Sequence, residues 1–303
     1  MGNNTEALTR GRSAAFDHMQ ACETAQIPWT EEPVTEILLS RSFPEVRVAS
    51  FNRRQESKVG ADWIWWWLGD DGESFGLLVQ AKRLVVSGEK WKFKFDHNEG
   101  EQQRTLFASA QELDIAPVYG LYLGTGAYRG PIGCGRPDHR SSVCEGCERS
   151  SVSFLPAILT SGVKTAESTY ERSVPMEELL VNSETQPSWL GAVDASLTDE
   201  LRRFLNEPQS GPRAVARSLL DLVLNERQKS FSKSLSTTVR LDALGPVFEC
   251  LPSDTGHFTQ PYFSTMLRGL VHAPPAYITE LLVSGEIAEP PLEGIAGVVL
   301  VHV

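Results

Sequence analysis

The sequence predicts an α/β fold in which a mixed sheet carries helices on its faces. Helical and strand periodicities alternate through the first 125 residues. The stretch FGLLVQAKRLVV (75–86) is too continuously apolar for an edge strand, so it belongs in the middle of a sheet. ADWIWWWL (61–68) places bulky residues on both sides of its strand, so both faces of that sheet must be covered.

Taken in order, residues 1–20 show no strong pattern and read as a lead-in with a short helix ending near Met19. TEEPVTEILLSR follows, with a capping Thr, early acids and Pro33 where a helix start tolerates it. Val34, Ile37 and Leu38 form the apolar stripe of this helix of about three turns. VRVASF (46–51) alternates as a strand, ADWIWWWL is a second, GDDGES is a hairpin-like turn, and FGLLVQAKRLVV is a third. EGEQQRTLFASAQEL then gives a helix with Leu106, Phe107, Ala110 and Leu113 on one side, and APVYGLYLG another buried strand. Residues 130–150 read as a Cys-rich loop, and 182–198 as a turn-rich boundary. The expected division is therefore a domain over 20–182 and a mostly helical C-terminal extension over 195–303, closed by the strand-like GIAGVVLVHV.

With 41% hydrophobic and 22% charged residues, the composition is that of a globular protein and excludes disorder and coiled coil. No apolar run reaches membrane-span length and the N-terminus has no signal-peptide core, so the expected location is cytoplasmic. A net charge of −11 argues against a protein that coats duplexes along its whole surface. Cationic residues nevertheless cluster at Lys82, Arg83, Lys90, Lys92 and Lys94, against Glu89 alone. The GxxxxGK[ST], GxGxxG and GxSxG signatures are missing, which removes P-loop hydrolysis and serine-hydrolase chemistry as readings.

The chemistry concentrates in VGADW and, eighteen residues after its aspartate, QAK. Phosphodiester hydrolysis uses a divalent cation that polarises the phosphoryl oxygen and acidifies water. Mg²⁺ takes oxygen ligands, often only one or two of them protein carboxylates. Asp62 at a strand start, the Gln80 side-chain oxygen and Lys82 on the same strand face as Gln80 supply such a set.

GAD(W) and (V)QAK, with the helix EEPVTEILL before and a Gln-containing helix after, resemble the PD-(D/E)XK nuclease superfamily, in its Mrr-like restriction-endonuclease branch with a QxK variant. The resemblance covers about residues 30–125 and implies a restriction-endonuclease-like sheet and a Mg²⁺- or Mn²⁺-dependent DNA endonuclease. It assigns Glu32 as the helix acid, Asp62 and Gln80 as metal ligands, and Lys82 as the group that orients water and stabilises developing charge. Gln102 matches the polar residue the next helix contributes. Relatives with this pattern serve bacterial restriction or anti-phage defence, and paired sites in the superfamily commonly require a homodimer. The chain departs from the pattern at Gln80, which stands for the usual acid, and at Gly60 and Ala61, which replace the usual proline. Glu36 and Glu56 are competing carboxylates.

A second constellation is Cys134, His139, Cys144 and Cys147, a C-x4-H-x4-C-x2-C run ending in the CxxC that tetrahedral Zn²⁺ favours. A redox pair at Cys144 and Cys147 is the other reading, for which the sequence places neither thiol at a helix N-terminus. Cys22 and Cys250 are expected as buried hydrophobes. The tryptophans are expected in the core, Trp67 and Trp91 being the two that could instead present a base-stacking surface. Two alternatives to the endonuclease stand beside it: an inactive nuclease-fold binding module, and a zinc-stabilised protein that binds a partner protein.

Overall fold

The structure is a computed structural model that describes residues 3–51, 60–95, 100–130, 132, 144–160, 165–181, 197–229, 238–240 and 245–303. The chain opens with helix α1 (Asn3–Thr24), followed by α2 (Glu31–Ser42) and strand β1 (Val46–Ser50). Next come β2 (Trp63–Leu68), β3 (Ser74–Arg83) and a small hairpin of β4 (Val85–Ser87) and β5 (Lys90–Lys92). Helix α3 (Glu101–Glu112) then crosses to β6 (Ala116–Tyr122), which runs parallel to β3. Strands β7 (Val152–Pro156), β8 (Val174–Pro175), β9 (Thr238–Arg240), β10 (Cys250–Pro252), β11 (Leu270–Val271) and β12 (Gly297–His302) follow.

These strands build an eight-stranded mixed sheet flanked by helices, ordered β1-β12-β2-β3-β6-β7-β8, with β11 on the early part of β3. β3 is central, as its apolar run requires. Trp65 meets Phe154 edge-on at 5.5 Å, whereas Trp66 meets Tyr277 at 6.5 Å and donates its indole N–H to the Tyr277 hydroxyl at 2.9 Å. Adjacent tryptophans thus pack to opposite faces, which is why the strand tolerates bulk on both. Trp67 is fully buried, so it offers no stacking surface; Trp91 is half-buried.

Three features differ from the sequence reading. The lead-in is a 22-residue helix packed on α2. Ala7, Leu8, Gly11, Arg12, Ala15, Phe16 and Met19 are buried at helical spacing, but small residues and an arginine disguise the stripe. Gly11 is required by the crossing, because a Cβ there would lie 2.5 Å from the Leu38 carbonyl oxygen. The apolar run 75–86 is divided at Leu84 between β3 and the hairpin strand β4. Finally, the C-terminal region is part of the sheet: β12 lies between β1 and β2, and the helix Gly211–Lys229 packs on β2, β3 and β7. Residues 197–229 and 245–303 therefore share the core of the N-terminal elements and do not form an appendage beside it.

Candidate active site at the start of strand β2 and the end of β3

β3 runs past the start of β2, and Asp62 sits at that step. Its backbone N–H donates to the Val79 carbonyl at 3.0 Å, and its Oδ2 accepts the backbone N–H of Ala81 at 2.9 Å. The carboxylate takes over a ladder bond at the point where backbone pairing stops, which fixes its position. Gly60 helps to place it. Its φ is +65°, and a Cβ there would meet the Gln102 carbonyl oxygen at 2.6 Å and the Leu106 nitrogen at 2.8 Å. Chain entry into the site is thus pressed directly onto the first turns of α3.

Gln80 and Lys82 alternate onto one face of β3. Lys82 Nζ donates to Gln102 Oε1 on α3 at 2.7 Å, so this face looks toward α3. Burial pushes the Lys82 ammonium below its ordinary value, Lys94 adds to the effect, and the negative charges of Asp62 and Glu31 oppose it. Gln80 is 3% exposed, and its Oε1 meets no hydrogen-bond donor among the described residues. An unmet buried amide oxygen costs about 1–3 kcal/mol, so such an atom calls for a partner.

The helix acid nearest this chemistry is Glu31, where the sequence reading chose Glu32. Glu31 Oε1 accepts the backbone N–H of Arg83 at 3.2 Å, and its Oε2 lies 3.8 Å from Arg83 Nε. One turn on, Thr35 hydrogen-bonds the Tyr122 hydroxyl at 2.6 Å. Burial, reinforced by Asp62 and Glu31, drives Tyr122 far above the usual phenol range, so it stays protonated. Glu32 is exposed and lines a different space, a groove of about 730 Å³ between α2 and β1 that it shares with Glu36, Phe43, Phe51 and Trp63. The sequence held a signal for Glu31: Glu31, Thr35 and Leu38 follow one i, i+4, i+7 line, and Thr35 and Leu38 are buried.

Oxygen donors at Asp62 and Gln80, with the charge of Glu31 close by, fit a hard divalent cation such as Mg²⁺ or Mn²⁺. The set is mixed in chemistry; among the described residues no three His, Cys, Asp or Glu side chains are grouped to hold an ion. Of the cysteine constellation, Cys134 and His139 lie outside the described residues. Cys144 is the N-cap of the short helix Glu145–Arg149, a position the sequence reading did not give it, and Cys147 is buried within that helix. The fully buried Arg129 binds this helix through the Cys147 carbonyl and through the Ser150 hydroxyl at 3.1 Å. Cys22 and Cys250 are half-buried.

A family model described as a family of unknown function, DUF6615, matches residues 5–300. The chain belongs to that family. The DUF6615 match spans α1 through β12 and so takes in the candidate site together with the C-terminal strand that completes its sheet. No protein in the curated set matches the chain. Among the described residues, no helix is long and apolar enough to cross a membrane.

Proposed function

We propose that the protein is a divalent-metal-dependent DNA endonuclease whose site is built from Asp62, Gln80, Lys82 and Glu31. The observation that carries this reading is the buried Gln80 Oε1, which meets no donor among the described residues, on the strand whose Ala81 amide anchors Asp62. Asp62 and Gln80 would hold Mg²⁺ or Mn²⁺, which supplies Lewis acidity toward a phosphoryl oxygen and a more acidic water. Lys82, partly desolvated, is on the same strand face as Gln80 and in its ammonium form would balance negative charge that develops on phosphate. The charges of Asp62 and Glu31 would favour its ammonium form against burial, and Gln102 fixes its direction. The likeness to PD-(D/E)XK nucleases supports the same assignment and suggests restriction or anti-phage defence as the setting, with a homodimer as the acting form.

Plasmid cleavage in Mg²⁺ by the wild type, Asp62→Ala and Lys82→Ala tests this reading. Cleavage by the wild type alone supports it; equal cleavage by all three, or none by a folded wild type with Mg²⁺ or Mn²⁺, overturns it. In the last case the inactive binding module becomes the better account, favoured by the amide that stands at Gln80 for an acid.

The cysteine constellation is read as a structural zinc site of Cys134, His139, Cys144 and Cys147, supported by the burial of both described thiols at 6% and 1% exposure. Such a site would also suit a surface that binds a partner protein.

A further inference from the structure

The hairpin that follows β3 separates its residues by chemistry. Trp91 donates its indole N–H to the Tyr128 carbonyl at 2.9 Å, and its ring packs against Gly130, where a Cβ would lie 2.5 Å away. Phe93 and Phe95 are buried and stacked at 5.6 Å, and Phe95 continues onto Tyr119 at 4.7 Å. The residues that alternate with them, Lys90, Lys92 and Lys94, are all exposed, and none forms an ion pair with a described residue. Three lysines held to one side of an aromatic-anchored arm, in a chain of net charge −11, form a local cationic strip that packing does not explain. β4 begins three residues after Lys82 and its first residue, Val85, pairs with Lys92, so the strip adjoins the candidate site, and the charge of Lys94 also acts on Lys82. On the α2 side, Glu32 and Glu36 line the neighbouring groove and would repel a phosphate chain.

We propose that the arm from Val85 to Phe95 is a phosphate-binding strip, on which Lys90, Lys92 and Lys94 hold the nucleic-acid backbone and lead it to Asp62 and Lys82. This rests on the endonuclease reading and adds the path by which the substrate arrives. In an extended strand, alternate residues stand roughly 6.8 Å apart, close to twice the roughly 3.4 Å axial spacing of charges along one DNA strand. Lys90 and Lys92, both in β5, can therefore address separate phosphates. The lysines are positioning residues, since they bind backbone and touch no reacting atom.

The test measures binding of a short fluorescein-labelled duplex, and separately of its single strand, by anisotropy in EDTA so that no cleavage intervenes. Salt is varied from about 50 to 200 mM. Lys90→Gln/Lys92→Gln/Lys94→Gln is expected to weaken binding at least roughly tenfold and to reduce the slope of log K against log salt by about 2.7 for duplex or about 2.1 for single strand, at about 0.9 or 0.7 per contact. The triple arginine variant should restore the slope. Arg41→Gln/Arg47→Gln/Arg203→Gln removes three exposed charges elsewhere and should leave it near wild type. A wild type that cleaves plasmid while the lysine variant keeps the full slope overturns the strip and leaves the nuclease reading intact. Equal slope losses in the lysine and arginine-to-glutamine variants overturn it as a mere net-charge effect, and a wild type that neither binds nor cleaves overturns both proposals.

Discussion

Lys82 on β3 spans to α3 and donates its ammonium to Gln102 Oε1 at 2.7 Å, a single bond that fixes where the site's cation points. Burial lowers its pKa below the ordinary lysine value. The unfolded chain then binds the proton more tightly than the folded chain, so the penalty is complete below the folded pKa. It fades as pH rises toward 10.5, the ordinary value. Stability contributed by this residue should therefore increase with alkaline pH. Lys82→Met is expected to be more stable than wild type at neutral pH, by a margin that shrinks as pH climbs. Urea midpoints across neutral to alkaline pH check this, and parallel curves for the two proteins would contradict it.

Glu31 and Glu32 make opposite predictions although they are neighbours. Glu31 touches the Arg83 backbone and its charge supports Lys82; Glu32 points into the groove between α2 and β1. Glu31→Gln should reduce cleavage by about 10- to 100-fold, the usual effect of losing a group that supports a metal site, and Glu32→Gln by less than about threefold. Reversal of that order in a plasmid-nicking assay would restore Glu32 as the helix acid.

Gly60→Ala should cost roughly 1–3 kcal/mol, because the new Cβ has neither a relaxed φ nor room against α3. The strain falls two residues from Asp62, so cleavage should drop more than stability alone explains. Denaturant melts paired with cleavage rates under fully folded conditions separate the two losses. A wild-type melt would show that α3 can withdraw.

Much of this was legible in the sequence because the informative residues are either strongly apolar or strongly constrained. β2, β3 and β6 announced themselves through buried runs, and the shared strand face of Gln80 and Lys82 through alternation. Three things were not legible. The buried stripe of α1 consists of small residues and the ion-paired Arg12, which reaches Glu177 at 2.7 Å and Glu148 at 2.9 Å, so hydrophobicity did not mark it. That Glu31 and not Glu32 faces Arg83 is a rotation of about 100° about a helix axis, marked in the sequence only by the i, i+4, i+7 line with Thr35 and Leu38, whose burial the structure supplies. Insertion of β12 between β1 and β2 is a pairing at a sequence separation of more than two hundred residues, beyond any local signal.

Substitution in the cysteine cluster should expose a metal through stability. Cys144 begins, and Cys147 lies within, a helix that Arg129 ties to the loop after β6 through the Gly124 and Cys147 carbonyls. Zn²⁺ bound at this point would secure that connection, since metal-binding energy becomes folding energy. The wild type purified under reducing conditions should carry one equivalent of zinc by elemental analysis. Cys144→Ser or Cys147→Ser should lose it, with a melting temperature several degrees lower. Absence of zinc from the wild type would remove the site.

The position of β12 makes its loss more severe than that of any single side chain. The strand pairs with β1 over five residues, from Val46↔Val301 to Ser50↔Gly297, and with β2 over six, from Gly297↔Trp63 to His302↔Leu68. Removing residues 295–303 strips hydrogen-bond partners from the facing edges of both neighbours and uncovers buried Ile64, Trp65 and Trp67. Val298 to Val301, all fully buried, are lost with it. The truncated chain should show no cooperative unfolding transition and should aggregate. Tyr277→Phe, which only takes the acceptor from the Trp66 indole, should unfold cooperatively and cost about 1–3 kcal/mol. A truncated protein that melts as sharply as wild type would mean that the N-terminal elements fold without the strand between β1 and β2.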